Sequence, residues 1–118
     1  MAYKSNFERK VAKLLGKRVK YEAETIEFLQ PEKKRKYLPD FKVKENVFIE
    51  TKGKLDIETR KKHEWIKQQR PEITIYMLFM NAFNKIRKGS PTTYADWAEK
   101  VGIEWADFGM GIPKHWLK

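Results

Sequence analysis

Asp40, Glu50 and Lys52 stand within YLPDFKVKENVFIETKG, residues 37–53, where two carboxylates and an ammonium are set among apolar residues. Folded as a hairpin with its turn at Lys44-Glu45-Asn46, this stretch puts Val43 opposite Val47 and Phe41 opposite Ile49. Asp40 then falls opposite Glu50. Side chains alternate along a strand, so the two aliphatic pairs share one face, and Asp40, Glu50 and Lys52 share the other. A one-residue slip would bury the charges and expose the aliphatics, which argues for this register.

Directly opposed side chains lie roughly 4.5–5.5 Å apart at Cβ. Two carboxylates that close repel each other unless a hard divalent cation, which prefers oxygen ligands, sits between them. Such an ion beside DNA would reverse the local sign of charge, polarise a phosphoryl oxygen and lower the pKa of a bound water. Lys52 would orient that water or stabilise charge on the pentacoordinate phosphorus. PD, a spacer, then E-x-K is the pattern of metal-dependent nucleases. Pro39 suits a strand edge or start, which predicts that the carboxylates sit at an open margin of the sheet. The plain alternative is a solvent-facing strand edge on which Asp, Glu and Lys pair harmlessly.

The surroundings favour a polyanionic partner. The 118 residues suit one domain, and 26 Lys and Arg against 16 Asp and Glu leave a net charge of +10. A small domain this basic is a candidate nucleic-acid binder; a solubilising surface or a ribosomal-type scaffold is the alternative. Cys is absent, which excludes disulfides and thiolate zinc sites. No apolar run is long enough to cross a bilayer, and MAYKSNFERK lacks an apolar signal core. The expectation is a soluble cytoplasmic protein with no membrane partner.

The elements that must position these residues follow from periodicity. SNFERKVAKLLG predicts a first helix with Phe7, Val11, Leu14 and Leu15 on its stripe, Ser5 as cap and Gly16 as left-handed stop. VKYEAETIEFL reads as one or two strands with a bulge near Glu24 or Thr25. QPEKKRK reads as an exposed loop. DIETRKKHEWIKQQ predicts a second helix capped by Asp56. ITIYMLFM has the continuous apolar character of a buried central strand. A basic loop, NKIRKGSP, leads to a third helix with Tyr94, Trp97, Ala98 and Val101 as its stripe and Gly102 as its stop. The tail IEWADFGMGIPKHWLK reads as irregular. Strands mixed with helices point to an α/β sandwich around a small sheet.

Other residues offer chemistry less specifically. Ser5-x-x-Glu8 is a capping box, which accounts for Glu8 without an active site, although Glu8 lies near the edge of the apolar stripe. The second helix carries Arg60, Lys61, Lys62, His63 and Lys67. Because this helix follows the E-x-K strand, its cations are expected near a bound phosphate; His63 is expected at the surface rather than as a general base. Lys33, Lys34, Arg35 and Lys36 form an exposed basic run, and Lys85, Arg87 and Lys88 a basic loop; both are expected to contact DNA. Trp65, Trp97, Trp105 and Trp116 are expected in the core rather than as stacking platforms.

The chain resembles the phage endonuclease I family of Holliday-junction resolvases. YLPDF, FIETKG, RKKH, RPE, KGSPT and EKVGI carry the likeness in that order, with FERKVAKLL fitting the family's opening helix. The resemblance implies a restriction-endonuclease-like fold, a small mixed sheet flanked by helices. It implies Mg²⁺- or Mn²⁺-dependent hydrolysis of branched DNA, with two ions per active site and paired nicks across four-way junctions in DNA recombination. Asp40, Glu50 and Lys52 fall on the family's motif positions, Glu8 on its first-helix carboxylate, and the Thr51 carbonyl would be a further metal ligand. Family members are intertwined homodimers. By likeness, this single nuclease domain, 1–118, would exchange a segment of about 1–30 through a bridge at about 31–35, leaving 36–118 as the remainder, and each site would combine Glu8 of one chain with Asp40, Glu50 and Lys52 of the other. The host cytoplasm would be its location. The chain lacks the family's extra basic residues before the first helix and its long basic tail, and its bridge is more basic, so junction binding is expected to differ. Two rival readings are a non-catalytic basic nucleic-acid-binding module and a nuclease of the same chemistry acting on linear or mismatched duplex.

Overall fold

A computed structural model of the chain describes residues 3–30 and 33–118. Helix α1 spans Asn6–Leu15. It starts where the Ser5 hydroxyl accepts the Glu8 N–H at 3.0 Å, and it stops at Gly16, whose positive φ of 82° suits glycine. The stop is not the left-handed helical cap expected, because its ψ is −176°. Its buried residues are Phe7, Glu8, Val11 and Leu15, while Leu14 is exposed. Successive residues turn by about 100°, so a face centred between Val11 and Leu15 turns Glu8 inward and Leu14 outward. The helix is thus rolled away from the stripe that its leucines predict.

The main sheet has five strands: β1 (Lys20–Tyr21), β4 (Phe41–Lys44), β5 (Val47–Lys52), β6 (Thr74–Phe79) and β7 (Trp105–Asp107), paired in the order β1-β4-β5-β6-β7. β1, β4 and β5 run antiparallel, and β5, β6 and β7 run parallel. The parallel pairs are joined through α2 (Ile57–Gln69) and α3 (Tyr94–Val101), as parallel connection demands. A separate hairpin pairs β2 (Ile26–Gln30) with β3 (Lys33–Tyr37).

Both faces of the sheet are covered. On one, Phe41, Ile49, Leu78 and Ala106 meet Phe7, Val11 and Leu15 of α1 and Trp116 of the tail. On the other, Met77 and Phe79 meet Tyr94, Trp97 and Ala98 of α3. There, too, Phe48 meets Ile66 of α2 and Ile26, Phe28 and Tyr37 of the hairpin. The architecture is α/β with a mixed sheet, as expected. α2 is capped by Asp56, which accepts the Thr59 N–H at 2.8 Å. α3 is entered through a full capping box of Thr93 and Asp96 and left at Gly102 with φ 81°.

Four expectations need correction. KKRK is not a loop but β3: its four cations all face solvent and only Tyr37 is buried, so the segment has no apolar alternation to betray a strand. The predicted bridge falls partly on residues 31 and 32, which lie outside the described residues. In the β4–β5 hairpin, Phe41 pairs with Ile49 as expected, but a bulge at Val43 pairs Lys44 with Val47 and leaves Asn46 with φ 61° in the tight turn. The carboxylate face is not an open margin, because β5 is central and its Phe48 points into a third core cluster. The tail supplies β7 and then buries Trp116, whose ring stacks on Tyr76 at 4.7 Å between centroids.

Trp116→Ala should therefore cost about 3–5 kcal/mol of unfolding free energy in a urea titration, whereas Leu14→Ala should stay within about 0.5 kcal/mol of the parent. Equal losses would contradict the roll of α1 and the docking of the tail.

Candidate active site

Asp40 precedes β4 and follows Pro39, which has no N–H to give a ladder. Its carboxylate replaces a strand partner: Oδ2 accepts the Thr51 N–H at 2.9 Å and the Thr51 hydroxyl at 2.7 Å. Its own N–H donates to Glu50 Oε1 at 3.2 Å, and its carbonyl accepts the Glu22 N–H at 2.7 Å. Two β-strand backbones therefore hold Asp40 and Glu50 side by side. Both are buried, at 8% and 3% exposure.

Glu50 has its partners on both oxygens. Oε1 accepts the Tyr37 hydroxyl at 2.6 Å, and Oε2 pairs with Lys52 Nζ at 3.0 Å. Burial pushes Asp40 up to about 8, and the Glu50 charge adds to this, while the two Thr51 bonds pull the other way. Burial works to lower the Lys52 ammonium, but the charge and hydrogen bond of Glu50 outweigh it and the net shift is upward. Burial, reinforced by Glu50, raises the Tyr37 phenol well above its ordinary range. Burial beside a second carboxylate thus favours the protonated form of Asp40.

Glu8 joins this group from α1. Its carboxylate adds to the upward push on Asp40. Glu8 does not close the capping box: Oε1 accepts the Lys4 N–H at 3.0 Å and the Tyr21 hydroxyl at 2.8 Å, rather than the Ser5 N–H. Among the described residues, no three or more Asp, Glu or His side chains are arranged to hold a metal ion.

The predicted DNA contacts separate into groups. Arg35, Lys36, Lys61 and Lys62 line a groove between the β2–β3 hairpin and α2. Lys33 and Lys34 are exposed on the same hairpin, with Lys34 paired to Glu27 at 3.2 Å. Lys85, Arg87 and Lys88 are exposed on the loop before α3. Lys67 lies on another side of α2, lining a cavity with Val101 and Glu64. Two of the expected surface residues are internal. Arg60 is buried and donates to the Leu55 carbonyl at 2.9 Å and the Ile86 carbonyl at 3.4 Å, which ties α2 to the basic loop. His63 is 1% exposed, and neither ring nitrogen has a hydrogen-bond partner among the described residues. Burial pushes its pKa well down, so the ring is a neutral core group rather than a phosphate contact.

Tyr37 and Tyr21 escape sequence reasoning. Tyr37 meets His63 edge-on at 5.0 Å, and Lys62 Nζ lies over its ring at 4.8 Å. Its proximity to the PD motif is the one signal that marks it. Tyr21 occupies a two-residue strand whose only trace is one alternation in VKYEA.

Two opposed buried carboxylates, a paired lysine and a third acid on α1 are thus brought together in a chain that has close sequence relatives. A profile of the family described as phage endonuclease I matches residues 1–118. Endodeoxyribonuclease 1 of Enterobacteria phage T3 is 44% identical over 109 residues, covering 90% of this chain and 72% of the relative. Endonuclease I of Escherichia phage T7 is 39% identical over 120 residues, covering 99% of this chain and 79% of the relative. The family match spans residues 1–118 and both relatives are 39% identical or more, so the chain belongs to the phage endonuclease I family.

Proposed function

We propose that this protein is a metal-dependent endodeoxyribonuclease that resolves four-way junctions and other branched DNA by paired nicks. The observation that carries the reading is the buried Asp40–Glu50 pair with Lys52 bonded to Glu50. Family membership and the names of the two relatives support it.

The oxygen chemistry of this group suits a hard divalent ion, which would have to draw the side chains away from their present hydrogen-bond donors. Two carboxylates fixed side by side in a buried place repel, and a proton on Asp40 relieves the repulsion without metal. A hard dication relieves it with oxygen ligands and displaces that proton. Asp40, Glu50, the Thr51 carbonyl and Glu8 would hold Mg²⁺ or Mn²⁺, two ions to a site. When bound, the ions supply Lewis-acid polarisation of the phosphoryl group and an acidified water. Lys52 contributes a directed cation whose Glu50 bond aims it across the carboxylate face. Tyr37 and Tyr21 act as positioning residues, holding Glu50 and Glu8 by their hydroxyls.

Paired nicks require two sites related by a two-fold axis, which leads to a homodimer. Within one chain, Glu8 already adjoins Asp40; exchange of the segment 1–30 would make the same contact between two chains.

Glu50→Gln should reduce cutting of a labelled four-way junction in Mg²⁺ by more than about 10³-fold, while junction binding in EDTA persists. Cutting at the parent rate would overturn the reading. Tyr37→Phe keeps the ring and removes the donor, and should slow cutting with little change in junction binding; an unchanged rate would remove Tyr37 from the positioning role.

Asp40 has a folded pKa above its ordinary one, so the metal-free fold binds a proton that the unfolded chain has released. Its stabilising contribution is complete below the ordinary carboxylate range, declines as pH rises and is gone above about 8. The stability difference between the parent and Asp40→Asn, measured by urea unfolding in EDTA from pH 5 to 9, should therefore shift against the parent with rising pH. Saturating Mg²⁺ should flatten the trend. A pH-independent difference would contradict the coupled pair.

A further inference from the structure

A groove of about 420 Å³ lies between α2 and the β2–β3 hairpin. Its volume falls within the ~300–1,000 Å³ of sites that enclose a small ligand, which leaves room for a single nucleotide. Arg35 and Lys36 line it from the hairpin, and Lys61, Lys62 and Trp65 from one face of α2. Glu58 is the one acid in the lining. Among the described residues, none of the four cations makes an ion pair within 4.0 Å.

Trp65 is half-buried: it packs on the Phe48 cluster and also borders the groove. An aromatic surface beside these cations offers the two contacts that an unstacked nucleotide needs, a ring for the base and charge for the phosphate. The inner end of the groove reaches the carboxylates through two contacts. Lys62 Nζ lies 4.8 Å over the Tyr37 ring, and the Tyr37 hydroxyl bonds Glu50 at 2.6 Å.

We propose that this groove binds one unpaired nucleotide of a DNA strand next to the bond held at Asp40 and Glu50, with its base on Trp65 and its phosphate among Arg35, Lys36, Lys61 and Lys62. The nuclease reading supplies only the position along the strand; the binding itself needs no cutting. Branched DNA is then preferred over uniform duplex because a branch yields an unstacked nucleotide at low cost.

The test uses EDTA, so that no strand is cut, and DNA carrying the fluorescent base 2-aminopurine. The probes are a single strand, a duplex of equal length and a four-way junction with the label next to the branch. Wild type should quench the label in the single strand and junction but not in the duplex. Trp65→Phe should retain the quench. Trp65→Ala should lose it and bind the single strand about tenfold more weakly. Lys61→Ala, at an exposed helix position, should keep the quench and lower the salt slope of single-strand binding by about 0.7. Parent-like binding and quenching by Trp65→Ala, or equal quenching in duplex, would overturn the proposal. Should Trp65→Ala not fold, wild type decides alone: 5-bromodeoxyuridine beside the branch must photocrosslink to α2 or the hairpin, and crosslinks confined to other elements refute it. Stacking that persists with no cleavage in Mg²⁺ would remove the nuclease reading and leave this one standing.

Discussion

Two acids that repel are held together inside the protein, and much of the structure follows from that constraint. Glu50 sits on the central strand β5, and Asp40 stands against it at the end of β4. Burial keeps water from screening the pair, so the acids depend on donors from the protein. Thr51 gives two bonds to Asp40, and Tyr37, Lys52 and the Asp40 N–H serve Glu50. The donors come from three elements, so the acids join the sheet to the hairpin as well as to each other.

The order of the strands explains why the site is made this way. β5 has an antiparallel neighbour on one side and a parallel one on the other. The antiparallel side ends early, because Pro39 cannot extend it. The Thr51 N–H that this ending frees is taken by a carboxylate. A proline that shortens one strand thereby sets the position of the acid that follows it.

The three helices, the Ser5 and Asp56 caps, the Gly102 stop, the central β6 and the Asp40–Glu50 register were legible in the sequence because each carries a local signal: apolar spacing, a capping residue, or a dense apolar run. β3 was not, since a strand exposed everywhere except Tyr37 has no alternation. β7 is three residues long and depends on pairing with β6, a partner distant in sequence. Glu8 was readable as a cap, but its turn towards Asp40 depends on how α1 rolls on the sheet. Arg60 and His63 look like members of a cationic helix face. Their burial arises because α2 packs against the hairpin and the loop before α3, neighbours that no window along α2 contains. Tyr37 and Tyr21 were missed for the same reason: their importance lies in what their hydroxyls reach across the fold.

Tyr37 ends the hairpin and also anchors Glu50, and these two roles cannot be separated. If the hairpin lifts from α2, the phenol leaves with it, and Glu50 keeps only Lys52 and one backbone N–H to orient it. Among the described residues His63 makes no hydrogen bond, so it meets Tyr37 through ring packing alone. The orientation of this acid is therefore tied to the docking of a hairpin that belongs to a separate sheet.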